Sequence, residues 1–289
     1  IFCHFGQNGR IGLLMREVGA LKGKLVTVFH ASDITAYVWR EGRSVYRDLF
    51  EKGDLALPIS RYAKGKLLEL GCPERRIQIH RMGVDLAQFR MIMRKRFGTP
   101  PLKILSVARM VEKKGLEYGL EAVAMLIRDG ISCDYTLIGD GPLRRDLEAR
   151  ARGLKLEGHV HFAGWQDSGA VRRCLKDADV FLAPSIRAAN GDEEGIPVVL
   201  MEAMASRVPV VTTPTGGIRE LVEEGKTGFL VEEKNAHALA EKLKYLWEHP
   251  SVTEQVASGG RAIIEEQYNV ETLNQVLIKL FTAVAYERR

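Results

Sequence analysis

Apolar and polar positions form blocks along this chain, and the period of the blocks changes from strand-like to helix-like. Short apolar runs rich in β-branched residues, typical of buried strands, alternate with longer segments whose apolar residues recur at helical spacing. In the second half the predicted strands are KILSVAR, DYTLIGDG, HVHFAGW, DVFLAPS, VPVVTTP and TGFLVE. The predicted helices between them are LEYGLEAVAMLIRDG, PLRRDLEARARGLKL, SGAVRRCLKDA, VVLMEAMAS and HALAEKLKYLWEHP. This alternation predicts an α/β fold with a parallel, Rossmann-like sheet covered on both faces.

The first hundred residues carry a shorter version of the same pattern. Strands are predicted at LVTVF (25–29), DLALPIS (54–60) and IQIHRMGV (77–84). RYAKGKLLELG predicts a helix that ends at Gly71, and the polar, arginine-rich stretch MRKRFGTPP predicts a linker between domains.

Charge is distributed unevenly along the chain. Residues 1–100 contain 18 Lys and Arg against 9 Asp and Glu, whereas the remaining residues contain 24 against 28. A basic front half predicts an anionic partner, such as a membrane surface, a phosphorylated acceptor or nucleic acid, although an ordinary solvated surface explains it equally well. The four cysteines are scattered without a C-x-x-C pair, which favours a reducing compartment, and no apolar run approaches the length of a transmembrane helix.

Ligands of such sheets bind beyond the carboxyl ends of the strands, so the loops that follow the strands are the predicted site. Arg109 and Lys114 in ARMVEKKG could clamp a diphosphate, although a solvated basic loop is the alternative. GDGPL contains Gly139 and Gly141, and Pro142 is predicted as the first residue of a helix. As a dinucleotide fingerprint GDGPL is incomplete, and a plain turn is an equal interpretation.

Acidic residues surround a predicted helix start in EEGIPVVLMEAMA. Glu194 and Glu202 are eight residues apart, so on one helix they would point in roughly the same direction. The start at Gly195-Ile196-Pro197 offers free N–H groups to phosphate or sugar oxygens. A buried Glu202 is costly without a partner, which favours a ligand, whereas Glu194 could simply complement the helix dipole.

Two further motifs each allow a structural interpretation. His30 in VFHASD follows a strand, where histidines are more often structural but can also perform acid–base or hydrogen-bonding chemistry. The D-x-D of Asp177 and Asp179 lies between a helix and a strand, which predicts capping rather than metal binding. The sequence contains no zinc spacing, phosphate-binding P-loop or nucleophile elbow, so we expect neither a metal nor a cofactor.

Together these motifs resemble retaining glycosyltransferases of the GT-B fold. The E-x7-E pair within EGIPVVLMEAMA is the family's signature, and VARMVEKKG, LIGDGPLR, FLAPS and PTGGIRELVEEGKTGFLV follow the family's order and spacing. The match covers nearly all of residues 100–235. HFGQNG and VFHASDIT are similar to family 4 enzymes of bacterial exopolysaccharide assembly, of the colanic acid and amylovoran type.

The resemblance implies two Rossmann-like domains with parallel sheets, of which the N-terminal one is incomplete because its usual first strand, glycine-rich loop and helix do not precede IFCHFGQNG. The expected division is an acceptor-side domain over residues 1–98, a nucleotide-sugar-binding domain over 99–267, and a last helix in 268–289 that crosses back to the first domain.

The resemblance also implies residue roles. Arg109 and Lys114 would bind the donor diphosphate and assist its departure, while Glu194 would face the donor sugar and His30 would approach the sugar from the other domain. The expected donor-binding residues are Gly139, Gly141, Pro142, Gly195, Ile196, Pro197, Glu202, Gly216 and Gly217.

We therefore predict an enzyme that moves a sugar from a nucleotide sugar to a lipid-linked or other saccharide acceptor, with retention and without a metal, in the cytoplasm at the inner face of the membrane. The alternative is a nucleotide-sugar-binding protein that has lost catalysis. Because the first domain is expected to be incomplete, we expect donor binding with poor transfer, and an unpaired strand edge near residues 25–29. An epimerase or phosphorylase would need other site residues, and nucleic-acid binding would need aromatics among the basic residues.

Overall fold

A computed structural model describes residues 1–91 and 100–286. By their contacts the residues form two compact units. The first contains Ile1–Gly83, Ala188–Ile196 and Tyr268–Arg289, and the second contains Val84–Arg187 and Pro197–Gln267. Most of the predicted linker, and the predicted boundary between residues 98 and 99, lie outside the described residues.

The first unit contains a parallel sheet of three strands, in the order β1 (Phe2–His4), β2 (Val26–Phe29) and β3 (Leu55–Pro58). The central strand β2 pairs with β1 from Phe2↔Val26 onward and with β3 from Val26↔Leu55 onward. The predicted unpaired edge near residues 25–29 is therefore wrong, because the first residues of the chain form a strand that pairs with β2. The helices before the linker are α1 (Gly6–Glu17), α2 (Ala36–Glu41), α3 (Arg47–Lys52) and α4 (Arg61–Glu69).

Helix α1 follows β1, and the apolar pattern does not predict it. Its buried face consists mainly of Gly6, Gly9 and Gly12, which lie at helical spacing against the sheet. A Cβ at Gly6 would lie 2.4 Å from the Tyr46 ring, and one at Gly9 would lie 2.6 Å from Thr27 Oγ1. The glycines thus allow close packing of α1 on the sheet, in a way that an analysis based on apolar residues cannot detect.

The predicted strand at residues 77–84 is not formed. Ile77 makes one isolated bridge to Ala56, and the N–H groups of Gln78 and His80 donate to the carbonyls of Ala56 and Pro58. Pro58 has no N–H with which to return a hydrogen bond, so the ladder cannot continue as a regular strand.

The second unit contains a six-stranded parallel sheet with the order β6-β5-β4-β7-β8-β9. Its strands are β4 (Leu102–Val107), β5 (Cys133–Ile138), β6 (Val160–Gly164), β7 (Val180–Ala183), β8 (Val210–Thr212) and β9 (Phe229–Leu230). The order reverses between β4 and β7, as in a doubly wound nucleotide-binding sheet, so the topological switch point lies between the ends of these two strands.

Helices connect these strands, and their apolar faces form the core of the unit. They are α5 (Leu116–Arg128), α6 (Arg144–Gly153), α7 (Ser168–Asp177), α8 (Val198–Ala205), α9 (Ala236–Glu248) and α10 (Pro250–Gln267). In α5 the residues Leu116, Leu120 and Val123 recur at helical spacing and are buried. All the strands and helices predicted after residue 100 are present, with shorter bounds, and α10 is an additional helix.

The last helix, α11 (Val270–Tyr286), belongs to the first unit. Its residues Leu277, Leu280, Phe281 and Val284 pack with a cluster that includes Val26 and Val28 of β2. The alternate β2 residue Phe29 packs in the cluster on the α1 side, so the sheet is covered on both faces. Among the described residues, no helix combines the length and the apolar character needed to span a bilayer.

Candidate functional site

The loops after β4 and β7 meet closely at the switch point of the second sheet. The N–H of Ile186 donates to the carbonyl of Lys113 at 2.8 Å. Gly115, with φ of 55°, lies so near the other loop that a Cβ would stand 2.1 Å from the carbonyl oxygen of Pro184. A ligand bound at this edge would therefore lie against two loops whose backbones are fixed to each other.

Arg109 and Lys114 both lie on the loop after β4. The loop is held in a tight turn, because the N–H of Val111 donates to the carbonyl of Arg109 and the N–H of Lys114 donates to that of Val111. Arg109 is exposed, Lys114 is half-buried and Lys113 is buried. The structure therefore places the two predicted cations on one short, ordered loop beside the switch point.

The GDGP turn after β5 lies against the same loop. A Cβ at Gly139 would stand 1.9 Å from the carbonyl oxygen of Ala108, and one at Gly141 would stand 2.6 Å from that of Met110. The N–H of Met110 also donates to the carbonyl of Asp140 at 2.8 Å. These contacts within the protein explain why both positions are glycine, independently of any contact that the turn makes with a ligand.

The prediction that Pro142 is the first residue of a helix is wrong. Helix α6 begins two residues later, at Arg144. The intervening Leu143 donates its N–H to the carbonyl of Met110, so the chain remains attached to the β4 loop before the helix begins.

Gly216 and Gly217 follow β8 in a 3₁₀ turn over Gly216–Glu220. The hydroxyl of Thr212 donates to the carbonyl of Ala183 at 2.8 Å, and that of Thr213 donates to the carbonyl of Ser185. These bonds attach the loop after β8 to the loop after β7, so the predicted glycines lie on the neighbouring loop at the same edge of the sheet.

Glu202 lies on α8, whose first residue is Val198 and whose N-cap position is Pro197. The sequence predicts a buried acid here, but Glu202 is only half-buried, in contrast to its buried neighbours Met201 and Ala203. Burial raises the pKa of Glu202, and Arg172 acts in the opposite direction.

The predicted helix start at Gly195 is wrong, because α8 begins at Val198, so Glu194 lies further from the helix than the sequence predicts. The segment Ala188–Ile196, which contains Glu194, belongs by its contacts to the first unit. The Thr35 hydroxyl donates to Asp192 Oδ1 at 3.1 Å, and the Tyr62 hydroxyl donates to Glu193 Oε2. The two acids of the E-x7-E pair therefore lie in different compact units.

Gly195 and Ile196 belong to the same segment, and Gly195 packs directly beside His30. A Cβ at Gly195 would stand 2.8 Å from Ile59 Cδ1 and 3.4 Å from the carbonyl oxygen of His30. Glu194, just before it, is 5% exposed. Within the first unit the structure thus brings Gly195, the residue after Glu194, against the main chain of His30, which is 165 positions earlier in the sequence.

His30 immediately follows β2 and is surrounded by other rings. Its Nε2 lies 3.2 Å from Nδ1 of His4, the last residue of β1, and its ring centroid is 4.3 Å from that of Phe5. Burial, and secondarily the charge of His4, lower the pKa of His30 to about 4. His30 is therefore a neutral imidazole at neutral pH.

Asp33 supports this loop and was not predicted as a functional residue. It is fully buried, and its carboxylate accepts the N–H groups of His30 at 3.0 Å and of Gly6, at the start of α1, at 2.9 Å. Burial raises the pKa of Asp33 to about 6, although these N–H groups act to lower it. His4 was not predicted either, and the only signal in the sequence was its place in the HFGQNG motif.

The D-x-D pair lies between α7 and β7, as its place in the sequence indicated. Helix α7 ends at Asp177, and the carboxylate of Asp179 accepts the N–H of Lys103 at 2.9 Å. Within residues 1–91 and 100–286, no cluster of three or more His, Cys, Asp or Glu residues is arranged to hold a metal ion.

Comparison with solved structures identifies the fold. HepE from Anabaena, solved in complex with UDP, superposes with a TM-score of 0.80 over 98% of this chain and 78% of HepE, at 20% identity. Sucrose-phosphate synthase from Thermosynechococcus elongatus gives a TM-score of 0.82 over 98% of this chain and 74% of that protein, also at 20% identity. At this level of identity the likeness shows the fold alone, and it confirms the predicted GT-B architecture of parallel α/β sheets.

Comparison with curated sequences identifies the family. The chain is 42% identical, over 97% of its length and 70% of the relative, to WcaL of Escherichia coli, described as a colanic acid biosynthesis glycosyltransferase. It is 40% identical, over 98% of its length and 69% of the relative, to the amylovoran biosynthesis glycosyltransferase AmsK of Erwinia amylovora. The family model described as glycosyl transferases group 1 matches residues 90–263. The chain therefore belongs to the glycosyl transferases group 1, and it is a glycosyltransferase of the GT-B fold.

Proposed function

We propose that this glycosyltransferase transfers a sugar from a nucleotide-sugar donor to a lipid-linked or other saccharide acceptor during assembly of an exopolysaccharide, with retention of the anomeric configuration. The names of the similar proteins WcaL and AmsK support the exopolysaccharide part of the proposal. An acceptor carried on a lipid would place the reaction on the inner face of the cell membrane.

The observation that carries the proposal is the pair of cations on the loop at the switch point. Arg109 and Lys114 follow β4, the strand beside which doubly wound sheets bind nucleotides. In our proposal their side chains bind the donor diphosphate and neutralise the charge that develops as it leaves. HepE, which shares the fold, has been solved with UDP and with UDP-glucose.

The remaining donor contacts are assigned from the motifs that resemble those of the family, all of which lie within residues 90–263. Glu202 would bind the ribose hydroxyls, and the turn of Gly139, Gly141 and Pro142 would border the base. The backbone at Gly216 and Gly217, the N–H groups of Gly195 and Ile196, and the adjacent Pro197 would contact the diphosphate and sugar.

His30 and Glu194 would act at the transferred sugar. Support comes from the first unit, where Gly195 packs against the carbonyl of His30. The new bond would join the acceptor oxygen to the anomeric carbon as the bond from that carbon to the phosphate oxygen breaks, and the acceptor proton would pass to the leaving phosphate. This route differs from that of retaining glycosidases, in which one carboxylate is the nucleophile and another the acid.

We also propose that transfer needs neither a metal nor a cofactor, because the cations of Arg109 and Lys114 supply the charge compensation that a metal supplies elsewhere. The experiment is calorimetry of the purified protein with UDP- and GDP-linked sugars, in buffer with and without a chelator. Donors that bind are then incubated with saccharide and lipid-linked saccharide acceptors, and the anomeric proton coupling of the product is read by NMR.

We expect chelator-resistant binding of at least one donor, and a product with the donor's anomeric configuration. Inversion in the product would contradict retention, and loss of binding in chelator would contradict metal independence. Donor binding with no transfer to any acceptor would favour the alternative of a nucleotide-sugar-binding protein without catalysis.

A further inference from the structure

His4 and His30 meet at the carboxyl ends of two neighbouring parallel strands. His4 is the last residue of β1 and pairs in register with Val28 of β2, two residues before His30. The ring nitrogens His4 Nδ1 and His30 Nε2 are 3.2 Å apart, within hydrogen-bonding distance. One of these nitrogens must carry a proton and the other must accept it, so the tautomer of one ring fixes that of the other.

The rest of His30 is held in place independently of His4. Its backbone N–H donates to Asp33, its carbonyl lies against Gly195, and its ring packs on Phe5. The hydrogen bonds described for His30 involve its Nε2 and its backbone N–H. Nδ1 is therefore the ring atom that remains for a substrate.

The surroundings of the two rings indicate which of them donates. His4 is exposed to solvent, whereas His30 is half-buried and burial disfavours a second proton on its ring. A neutral His30 that accepts at Nε2 from an N–H at His4 Nδ1 agrees with this difference in exposure.

We propose that His4 is a positioning residue that donates from Nδ1 to Nε2 of His30 and thereby keeps the single proton of His30 on Nδ1, where it faces a sugar oxygen of the donor. In water an isolated neutral imidazole favours the other tautomer, with its proton on Nε2. His4 thus selects the less common form, a hydrogen-bond donor at Nδ1. The step toward the sugar rests on the proposed function, whereas the tautomer does not.

The test of the tautomer is ¹⁵N NMR of the imidazole nitrogens, assigned with the His30→Asn variant. In the unaltered protein at neutral pH we expect the proton of His30 on Nδ1. His4→Phe keeps a ring of similar size but removes the nitrogen, and it should move the proton of His30 to Nε2. His4→Asn puts an amide N–H where Nδ1 was and should restore the Nδ1 proton. His161→Asn, on the exposed side chain of β6 in the other unit, is the control and should change nothing.

Kinetics then connect the tautomer to transfer. We expect His4→Phe to lower kcat about tenfold, the order expected for one hydrogen bond, while the Kd of the donor changes little and His4→Asn recovers most of the loss. Circular dichroism of each variant verifies the fold.

A His30 proton on Nε2 in the unaltered protein, or an unchanged tautomer in His4→Phe, overturns the proposal. If the tautomer responds as expected while neither His4→Phe nor His30→Asn affects transfer, the positioning of His30 by His4 stands and the catalytic role given to His30 under the proposed function is wrong.

Discussion

Lys114 is the residue at which charge and position together make the sharpest case for a role in catalysis. It ends the turn after β4 and directly precedes Gly115 and α5, so its main chain is fixed beside the switch point. We predict that Lys114→Ala lowers kcat by at least about a hundredfold, the order expected when stabilisation of a leaving group is lost. The Kd of the donor, measured by calorimetry, should rise less.

Lys103→Ala is the matched control for this prediction. Lys103 is exposed on β4, the strand that precedes the loop of Lys114, but it lies near the amino end of that strand. Its replacement by Ala therefore removes one positive charge from the same unit without changing the switch point. A Lys114→Ala enzyme that turns over as fast as the Lys103→Ala enzyme would contradict the role of Lys114.

The pKa of Asp33 is raised and that of His30 is lowered. Both shifts make the free energy of unfolding depend on pH, and they do so in the same pH range. Burial raises the pKa of Asp33 to about 6. Its favourable contribution to the free energy of unfolding is therefore present below the pKa of the unfolded chain, near 4, and is lost as pH rises through about 6. The pKa of His30 is lowered to about 4. Its favourable contribution to the free energy of unfolding is therefore present above the pKa of the unfolded chain, near 6.5, and is lost as pH falls through about 4. In the unaltered protein the two effects partly cancel.

Single substitutions should therefore separate the two effects. We predict that Asp33→Asn makes the free energy of unfolding increase more steeply from pH 4 to pH 6.5 than in the unaltered protein. His30→Asn should make it increase less steeply, or decrease. Urea denaturation at intervals of half a pH unit measures both slopes, and parallel curves for the three proteins would show that neither group titrates in this range.

At the scale of elements, the contact between the loops after β4 and β7 depends on Gly115. Alanine at this position would have to adopt a positive φ and would also place its Cβ 2.1 Å from the carbonyl oxygen of Pro184. Gly225 in the same unit has a similar φ of 71°, but no atom lies within 4 Å of a Cβ built there. Alanine is therefore strained by its backbone conformation at both positions, whereas only at Gly115 does its Cβ also overlap another atom.

We predict that Gly115→Ala destabilises the second unit by about 2 kcal/mol more than Gly225→Ala does, because the loops must separate. By scanning calorimetry, that difference lowers the apparent melting temperature by about 6 °C for a unit of this size. Donor binding should also weaken in Gly115→Ala, since Lys114 moves with the loop. Equal melting temperatures for the two variants would show that the loops are not constrained by this contact.

The elements that sequence reasoning could predict are those whose own residues carry the signal. A buried strand such as β4, with the sequence LKILSV, is identified by its aliphatic and β-branched residues alone. Helix α1 is not, because its contact with the sheet is made by glycines, whose effect depends on partners far along the chain. The segment after Ile77 has the composition of a strand but lies beside Pro58, and its failure to form a ladder depends on that neighbour.

The residues of the candidate site also fall into two groups, those that the sequence could place and those that it could not. The rule that ligands bind beyond strand ends was enough to select the loops of Arg109 and Gly139, because each follows its own strand directly. The surroundings of His30 and Glu194 depend on tertiary packing: the segment around Glu194 is held by Thr35 and Tyr62, and no periodicity in the sequence connects them. The sequence therefore placed Glu194 directly before the helix of Glu202 and could not show that its segment belongs to the first unit.

At the scale of the whole molecule, the first hundred residues carry an excess of positive charge, with 18 Lys and Arg against 9 Asp and Glu. The first unit exposes Arg40 on α2, Arg43 in the following turn and Arg47 on α3. We predict that the protein binds vesicles containing anionic phospholipid, that binding weakens as salt is raised, and that neutral vesicles bind little, because exposed cations near an anionic surface are attracted through a field that salt screens.

Two triple variants of equal net charge test whether the cations of the first unit are responsible for vesicle binding. Replacing Arg40, Arg43 and Arg47 by Gln removes three exposed cations from the first unit, whereas replacing Arg128, Arg152 and Lys155 by Gln removes three from the second. At about 1 kcal/mol for each cation that reaches the surface, the first triple should weaken vesicle binding at least tenfold in a sedimentation assay, and the second should leave it nearly unchanged. Equal losses would mean that net charge alone governs the attraction, and tight binding of the unaltered protein to neutral vesicles would remove the electrostatic explanation altogether.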